Sequence, residues 1–180
     1  RADGVTPLAI KTDNSVWSWG LNNSGQMGDG SLVNKNFPVR ITSIANIQTY
    51  SAAASNHTFA IKTDGSLWGW GANFAGQFGN GTTGQTIPVP TMLGSSTDWK
   101  SVSTGSSSTY AIKNDGSLWG WGNYTIKSVQ NGTSLSFTQV NSSTPLRIGT
   151  DTNWKQIFAG SNTNYGIKTD GSLWAWGYNF

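Results

Sequence analysis

Apolar and polar residues alternate along four short stretches of the chain, and each stretch is followed by a turn pair and a second apolar stretch. In the clearest copy, residues 57–63 read His-Thr-Phe-Ala-Ile-Lys-Thr, which has the two-residue period of a half-buried β-strand. Asp64-Gly65 follows and favours a two-residue type I′ turn, in which both residues have positive φ. Residues 66–71 then predict the returning strand. The pattern therefore predicts a β-hairpin.

The same hairpin pattern occurs four times along the chain. The first tryptophans of the copies are spaced by 51, 51 and 55 residues: Trp17, Trp68, Trp119 and Trp174. The predicted turn pairs are Asp13-Asn14, Asp64-Gly65, Asp115-Gly116 and Asp170-Gly171. A period near fifty residues is typical of repeat proteins, so the fold is expected to be an array of similar units.

Two weaker strands are predicted between successive hairpins. One type follows a proline (Pro38, Pro88 and Pro145), and because proline has no N–H donor these strands should start there or lie at an exposed edge. The other type covers residues 47–51, 99–103 and 154–158. Each full unit then holds four short antiparallel strands, the content of one propeller blade. We therefore expect an all-β fold, a β-propeller of four-stranded antiparallel blades, with about three and a half blades in this chain.

The chain is interpreted as a single repeat array over residues 1–180. The expected units are 1–46, 47–98, 99–153 and an incomplete 154–180. Half a propeller would leave sheet edges and apolar faces open, which is an aggregation hazard. We therefore expect either that the sequence is part of a longer chain or that copies assemble into an oligomeric propeller.

The tryptophans of each hairpin are two residues apart, so both project from one face of the sheet. These eight residues are Trp17, Trp19, Trp68, Trp70, Trp119, Trp121, Trp174 and Trp176. Two interpretations are open: a structural core between blades, or a platform on which sugars or bases stack. Because the same two positions recur in all four units, the core is favoured.

Residues 19–30 read Trp-Gly-x-Asn-x-x-Gly-Gln-Met-Gly-x-Gly, and residues 70–81 repeat this pattern with Phe78 in place of Met27. This motif resembles the signature of the regulator-of-chromosome-condensation repeat, and the resemblance covers essentially the whole chain. It implies seven-bladed β-propellers with about fifty residues per repeat. The third copy departs from the motif, because residues 123–143 lack Gly-Gln-x-Gly and the unit is four residues longer. That segment is expected to be the most distinctive surface, although neutral drift in a loop would also explain it.

The composition offers few routes to chemistry. Only 11% of residues are charged, the net charge is +3, and the chain has one histidine, no cysteine and no glutamate. We therefore expect no enzyme, no catalytic residues, no metal site and no cofactor. His57 is interpreted as a structural hydrogen-bonding residue. Lysine and arginine are spread singly, which argues against nucleic-acid binding, and no apolar stretch is long enough to span a membrane.

The favoured function is a non-catalytic propeller module for protein interaction or display. The Ser-, Thr- and Asn-rich, cysteine-free composition favours an extracellular or surface-exposed location in a bacterium or virus. Expected contact loops are 21–37, 72–87 and 123–143, with Asn22, Phe74 and Tyr124 as candidate contact residues.

Two alternatives to this function stay open. One is a self-assembling structural subunit of a filament, sheath or virion fibre, so that the expected partner is either another protein or a second copy of the chain. The other, more remote, is implied by the resemblance: a regulator similar to the guanine-nucleotide exchange factor for a small nuclear GTPase. That factor uses a complete propeller with a charged face, and this chain has neither enough blades nor enough charge.

Overall fold

The structure is a computed structural model that describes residues 6–52, 56–130, 134–161 and 163–177, excepting the side chains of 126–138. These residues form fourteen β-strands: β1 (Leu8–Ile10), β2 (Val16–Gly20), β3 (Lys35–Ile41), β4 (Ile47–Ser51), β5 (His57–Lys62), β6 (Leu67–Asn73), β7 (Gln85–Met92), β8 (Trp99–Thr104), β9 (Ser108–Lys113), β10 (Leu118–Gln130), β11 (Ser134–Arg147), β12 (Trp154–Ala159), β13 (Thr163–Lys168) and β14 (Leu173–Gly177). Within the described part of the chain, no helix is long and apolar enough to cross a membrane.

The strands form four antiparallel sheets in chain order: β1–β3, β4–β7, β8–β11 and β12–β14. In each sheet, every strand pairs with the strand that follows it in sequence. β8 contacts β4 and β5 of the preceding sheet, and β12 contacts β8 and β9. Sheets two to four are therefore arranged side by side with their first strands, β4, β8 and β12, adjacent. The predicted fold class is confirmed: blades of four antiparallel strands, about three and a half of them in this chain.

The hairpin turns differ from the predicted type I′. In the second copy, Gly65 has a φ of 79°, whereas Asp64 is outside the left-handed region. The Gly65 N–H donates to the Lys62 carbonyl at 2.9 Å, and the Lys62 N–H donates to the Ser66 carbonyl at 3.0 Å. The loop therefore has three residues, 63–65, with a left-handed glycine at its end. The same two bonds close the turns at Asn14, Gly116 and Gly171.

The strands that contain proline lie at the outer edge of their sheets, as predicted. Pro38 is in β3, Pro88 is in β7 and Pro145 is in β11, and each of these strands has only one neighbour in its sheet. An edge strand tolerates proline because the missing N–H would face away from the sheet. Each proline lies within its strand rather than at the start, since the strands begin several residues earlier than the prolines indicated.

Apolar side chains meet between neighbouring sheets and form three separate cores. The first joins Leu8 and Val16 of sheet one to Trp70 of sheet two. The second joins Phe59 and Phe78 of sheet two to residues of sheet three that include Trp99 and Trp121, and the third lies between sheets three and four. Each sheet thus buries both faces only when it has a neighbour on each side.

The second tryptophans of the middle hairpins are the most deeply buried indoles. Trp70 and Trp121 have no exposed surface, and Trp68 and Trp119 pack against the same two cores while remaining partly exposed. In the outer hairpins, Trp17, Trp19 and Trp176 are half-buried and Trp174 is 48% exposed. The indoles of the middle two sheets are therefore buried more deeply than those of the first and last sheets.

Candidate interaction surface

The loops that follow the second tryptophan in the first two units are each folded around a buried asparagine. In the second loop, the Asn73 amide oxygen accepts the Phe78 N–H at 3.0 Å, and its amide nitrogen donates to the Thr82 carbonyl at 3.0 Å. Asn22 makes the equivalent bonds in the first loop, at 3.0 Å and 2.9 Å. Asn22 has no exposed surface, so the prediction that it contacts a partner is wrong. Its side chain instead satisfies backbone groups that the loop would leave unpaired.

The Gly-Gln-x-Gly segment of each loop contacts the following sheet. The Gln26 carbonyl accepts the Trp70 indole N–H at 2.9 Å and the Thr58 hydroxyl at 3.0 Å. Gly28 has a φ of 81°, and a Cβ at this position would lie 2.9 Å from the Trp70 indole nitrogen. In the second loop, the Gln77 carbonyl accepts a hydroxyl of the third sheet at 2.8 Å. The motif that carries the family resemblance is thus a clamp between neighbouring sheets.

Large apolar side chains are exposed on the outside of these clamped loops. Phe74, a predicted contact residue, is 60% exposed. The first loop exposes Leu32, Val33 and Phe37 to a similar degree, from 50% to 65%. These three residues lie in an expected contact loop but were not among the candidate contact residues, although Leu32-Val33 forms an apolar pair outside the strand patterns. Each of the two loops thus exposes large apolar side chains while its backbone is held in place.

Residues 123–143, predicted as a loop, form the far part of the β10–β11 hairpin. The two strands stay paired from Trp119 and Arg147 out to Gln130 and Ser134, and 131–133 lie outside the described residues. A longer unit therefore extends the strands instead of opening a loop.

Tyr124, a predicted contact residue, is only 4% exposed, and it lines a cleft between the third and fourth sheets. The Tyr124 ring lies edge-on to Tyr110, with ring centroids 5.8 Å apart, in the core between sheets three and four. A Cβ on Gly120 would lie 3.2 Å from this ring, just as a Cβ on Gly69 would lie 3.0 Å from Phe78. Tyr124 therefore fills the space that Phe78 fills in the preceding unit.

Each hairpin turn is held by an aspartate, a serine and the first tryptophan. The Asp64 carboxylate accepts the Ser66 N–H at 3.0 Å and the Ser66 hydroxyl at 2.5 Å. The same hydroxyl accepts the Trp68 indole N–H at 2.9 Å. These donors hold the pKa of the Asp64 carboxyl below its usual value, first through the hydroxyl and then through the N–H. The other sets are Asp13, Ser15 and Trp17; Asp115, Ser117 and Trp119; and Asp170, Ser172 and Trp174.

One lysine per hairpin lies over the first tryptophan. The distance from the ammonium nitrogen to the ring centroid is 4.3 Å for Lys11 and 5.0 Å for Lys62. Lys113 and Lys168 each also contact a second indole, Trp99 and Trp154. Each forms an ion pair with an aspartate that precedes its own sheet, Asp98 at 3.2 Å and Asp151 at 2.7 Å. These four cations are thus engaged with rings and carboxylates of the protein itself.

His57 is fully buried between the second and third sheets. Its Nε2 lies 3.0 Å from the Thr109 hydroxyl, which in turn donates to the Gln77 carbonyl at 2.8 Å. Burial lowers the pKa of His57 to about 4, so the ring is neutral at physiological pH. No group of three or more histidine and aspartate side chains that could hold a metal ion is found within the described residues.

Comparison with known proteins gives matches along most of the chain. A family model described as the regulator of chromosome condensation (RCC1) repeat matches residues 13–61 and 64–112, and a second model of the same description matches 154–180. The chain is 33% identical to Protein RCC2 homolog of Xenopus laevis over 87 residues, which are 48% of this chain and 17% of that protein. It is 30% identical over 123 residues to RCC1 domain-containing protein RUG3, mitochondrial, of Arabidopsis thaliana, covering 67% of this chain and 27% of that protein. The crystal structure of Prp20p from Saccharomyces cerevisiae superposes with a TM-score of 0.76 at 22% identity, over 97% of this chain and 43% of that one.

These matches correct one expectation and set the scale of the similarity. The relatives come from a frog, a plant and a yeast, and one is named as mitochondrial, so the expected bacterial or viral surface location is wrong. The chain spans about a quarter or less of these curated relatives and less than half of the solved propeller. With repeat models matching well over half of its residues, the chain belongs to the regulator of chromosome condensation (RCC1) repeat family.

Proposed function

We propose that this β-propeller segment is a non-catalytic module that binds another protein through loops 21–37 and 72–87. One observation carries the proposal: four large apolar side chains, on Leu32, Val33, Phe37 and Phe74, are at least half exposed. Exposed apolar clusters on a folded surface mark interaction sites more often than chance. In this proposal residues 1–180 act as one repeat array that presents the two loops together.

The loop backbones support this proposal because they are already held in one conformation. The buried Asn22 and Asn73 amides fix each loop from inside, and the glutamine carbonyls tie it to the next sheet. A surface that is ordered before binding loses less conformational entropy when a partner docks. Phe37 and Phe74 are the expected anchors, since aromatic side chains contribute much of the binding energy in protein interfaces.

The non-catalytic part of the proposal rests on the side chains available. His57 is buried and neutral, and the chain has no cysteine and no glutamate. Four lysines lie over indoles, which also argues against a basic track for nucleic-acid phosphates. The expected partner is therefore a protein with a complementary apolar surface.

Site-specific cross-linking with purified candidate partners tests this proposal. Gsp1p and histones are the first probes, because the yeast propeller Prp20p is described with binding properties toward both. We expect Phe74→Ser and Phe37→Ser each to weaken binding about tenfold, the effect of losing a moderate anchor. Met92→Ser, on the outer strand β7, is the matched control and should bind normally. The cross-linker is placed at position 74, and affinities are then measured for each partner that it captures. If Phe74→Ser, Phe37→Ser and Met92→Ser bind every such partner with equal affinity, the proposal is refuted.

A second candidate function, structural self-assembly, is favoured by the face of the last sheet. Tyr165 and Leu173 are 45% and 68% exposed, whereas Tyr110 and Leu118, at the matching positions of the third sheet, are buried beneath the fourth. A further sheet, from a longer polypeptide or from a second copy, would cover this face in the same way. Light scattering over a range of protein concentrations tests whether a second copy of the chain supplies this sheet. Oligomers that are lost in Leu173→Asp would support assembly, and a monomer at every concentration would exclude it.

A further inference from the structure

A polar cleft lies between the third and fourth sheets, with a volume of about 260 Å³. Its lining includes the serines at 106–108, Gln139 and Asn164, and every described lining residue is uncharged. The cleft is smaller than the pockets that hold drug-sized ligands, so it suits a single side chain. It shares no residue with loops 21–37 and 72–87, so its role and the interaction proposed for those loops can succeed or fail independently.

At the equivalent place between the second and third sheets lies the ring of His57. His57 pairs with Gly71 on the neighbouring strand, just as Ser108 pairs with Gly122. The His57 Nε2 lies 3.0 Å from the hydroxyl of Thr109 on the following sheet, and the histidine has no exposed surface. One unit earlier in the array, an imidazole ring therefore fills the space between the two sheets.

At the third interface, both residues that hold this contact are exchanged. Ser108 takes the position of His57, and Asn164 takes the position of Thr109, because Thr109 and Asn164 each pair with the second tryptophan of their unit. Ser108 and Asn164 both line the cleft. Because serine has no ring, the space that the imidazole fills one unit earlier stays open here.

Other parts of the third interface are filled from within the chain. Tyr124 supplies the apolar packing described above. The Tyr110 hydroxyl accepts the Asn164 amide N–H at 3.1 Å. One unit earlier, the Gln77 carbonyl accepts the Thr109 hydroxyl in a similar way. Among these described contacts, only the histidine ring has no counterpart at the third interface.

The Asn164 side chain carries an unpaired acceptor at this interface. Asn164 is 5% exposed, and its amide oxygen has no hydrogen-bond partner among the described residues. The Tyr110 hydroxyl donates its own proton to the Thr125 carbonyl at 3.4 Å, so it accepts from the Asn164 nitrogen and leaves the oxygen unused. A buried acceptor without a donor is costly, so a ligand that brings an N–H group to it is favoured.

We propose that the cleft receives a histidine side chain of a partner protein, placed against Asn164 as His57 is placed against Thr109. A neutral imidazole ring has one N–H group, which donates to the Asn164 oxygen, and one bare nitrogen, which accepts from a serine hydroxyl of the cleft. The uncharged lining favours this neutral form, since a buried cation would find no carboxylate there. Lysine and arginine side chains fit less well for the same reason.

Four small probes test the ring and its N–H group separately. Imidazole and N-methylimidazole differ in the N–H group, and the blocked tripeptides Gly-His-Gly and Gly-Gln-Gly differ in the ring. Each is titrated into the folded, isotope-labelled protein at about pH 7.5, where a histidine side chain is mostly neutral, and followed by NMR.

We expect saturable shifts with imidazole and with Gly-His-Gly at the Asn164 side-chain amide and at the Ser106 and Ser161 backbone amides. A Kd of about 1–10 mM is expected for so small a ligand. N-methylimidazole, which has no N–H group, and Gly-Gln-Gly, which has no ring, should each bind about tenfold more weakly or not at all.

Variants of the protein locate the binding. Ser108→His supplies the ring from within the chain, and it should abolish the shifts while the protein stays folded. Thr150→His, at an exposed position, should leave them unchanged. Asn164→Leu, if folded by its amide spectrum, should weaken imidazole binding roughly tenfold, the loss of one hydrogen bond to a buried acceptor. Phe74→Ser, which tests the loops, should bind the histidine peptide normally.

Four results would overturn the proposal. Equal binding of imidazole and N-methylimidazole would remove the N–H group from the account, and equal binding of the two tripeptides would remove the ring. Undiminished binding in Ser108→His would place the ligand elsewhere. An absence of shifts up to about 50 mM imidazole, above the weakest expected Kd, would mean that the cleft holds water only. If free imidazole binds and Gly-His-Gly does not, the cleft is a site for a small molecule and the partner histidine is refuted.

Discussion

Burial of the single histidine should make the stability of this protein depend on pH between about pH 5 and about pH 7.5, a range in which, of the side chains in this sequence, histidine alone has its ordinary pKa. His57 is neutral when folded, with its pKa lowered by burial from 6.5 to about 4. The unfolded chain takes up a proton near pH 6.5, whereas the folded chain does so only near pH 4. The unfolded state therefore binds more protons between these values, and the free energy of unfolding falls as the pH falls.

The size of the effect follows from the shift in pKa. A difference of about 2.5 units is worth about 3 kcal/mol once the pH is below both values, at about 1.4 kcal/mol per unit. Between about pH 7.5 and about pH 5, the same linkage removes about 2 kcal/mol. The turn aspartates, including Asp64 and Asp115, do not interfere, because their pKa values are held below 3.8 and their stabilising bonds are lost only in more acid solution.

Urea unfolding followed by tryptophan fluorescence measures this effect directly. Wild type should lose about 2 kcal/mol between about pH 7.5 and about pH 5. His57→Thr, which places the residue found at 163 into the same position, should be less stable at neutral pH but flat across the window. NMR titration of the His57 ring in the folded state should give a midpoint near 4. A midpoint near 6.5, or an equal slope in His57→Thr, would show that the ring is accessible and that this reasoning is wrong.

Three further substitutions test the packing between sheets by the same unfolding assay. Trp121→Ala removes an indole with no exposed surface and should lower the free energy of unfolding by about 3–5 kcal/mol. Trp174 is 48% exposed, so Trp174→Ala should lower it by only about 1 kcal/mol. Similar losses in the two variants would contradict the conclusion that neighbouring sheets bury the inner indoles. Gly79→Ala puts a Cβ 2.8 Å from the Trp121 ring. Gly84 has a similar φ, but a Cβ there would meet no atom within 4 Å, so Gly84→Ala is the control. Gly79→Ala should lower the free energy of unfolding by about 1–3 kcal/mol more than Gly84→Ala, and equal losses would show that the contact with Trp121 adds no strain. Ser117→Ala deprives an aspartate and an indole of their shared hydroxyl and should cost about 1 kcal/mol, and no loss would mean that the turn holds without it.

The blade architecture could be predicted from sequence because its signals are local and repeated. Alternation in residues 57–63, a glycine at position 65 and two indoles at Trp68 and Trp70 all lie within one short stretch, and the stretch recurs. The turn type was missed because Asp64-Gly65 was interpreted as an isolated pair. The Asp64 carboxylate accepts the N–H of Ser66, which keeps Asp64 right-handed and leaves the positive φ to Gly65 alone. The Asp-x-Ser pattern itself was the available signal.

The contact residues were harder to predict because burial is decided by neighbouring sheets. Asn22 and Tyr124 occupy positions that look like loop residues in one dimension. Asn22 turns inward because the loop backbone needs its amide, and Tyr124 is covered because the fourth sheet packs beside it. Phe74 lies next to an equally buried asparagine, yet it points outward. No periodicity within the loops distinguishes the buried side chains from the exposed one. The cellular location was also predicted wrongly, because composition alone does not determine it.

The contacts between units also have a direction, which explains why the third unit differs. Each clamp runs from a loop to the sheet that follows it: Gln26 holds Trp70, and Gln77 holds Thr109. A unit that loses its Gly-Gln-x-Gly turn therefore weakens its link to the next sheet while its link to the previous one is unaffected. In the third unit, Tyr124 restores the apolar packing but leaves the polar half of the interface open at Asn164. At the interface between the third and fourth sheets, exchange of the clamp for a paired hairpin arm thus replaces an internal contact with an accessible cleft.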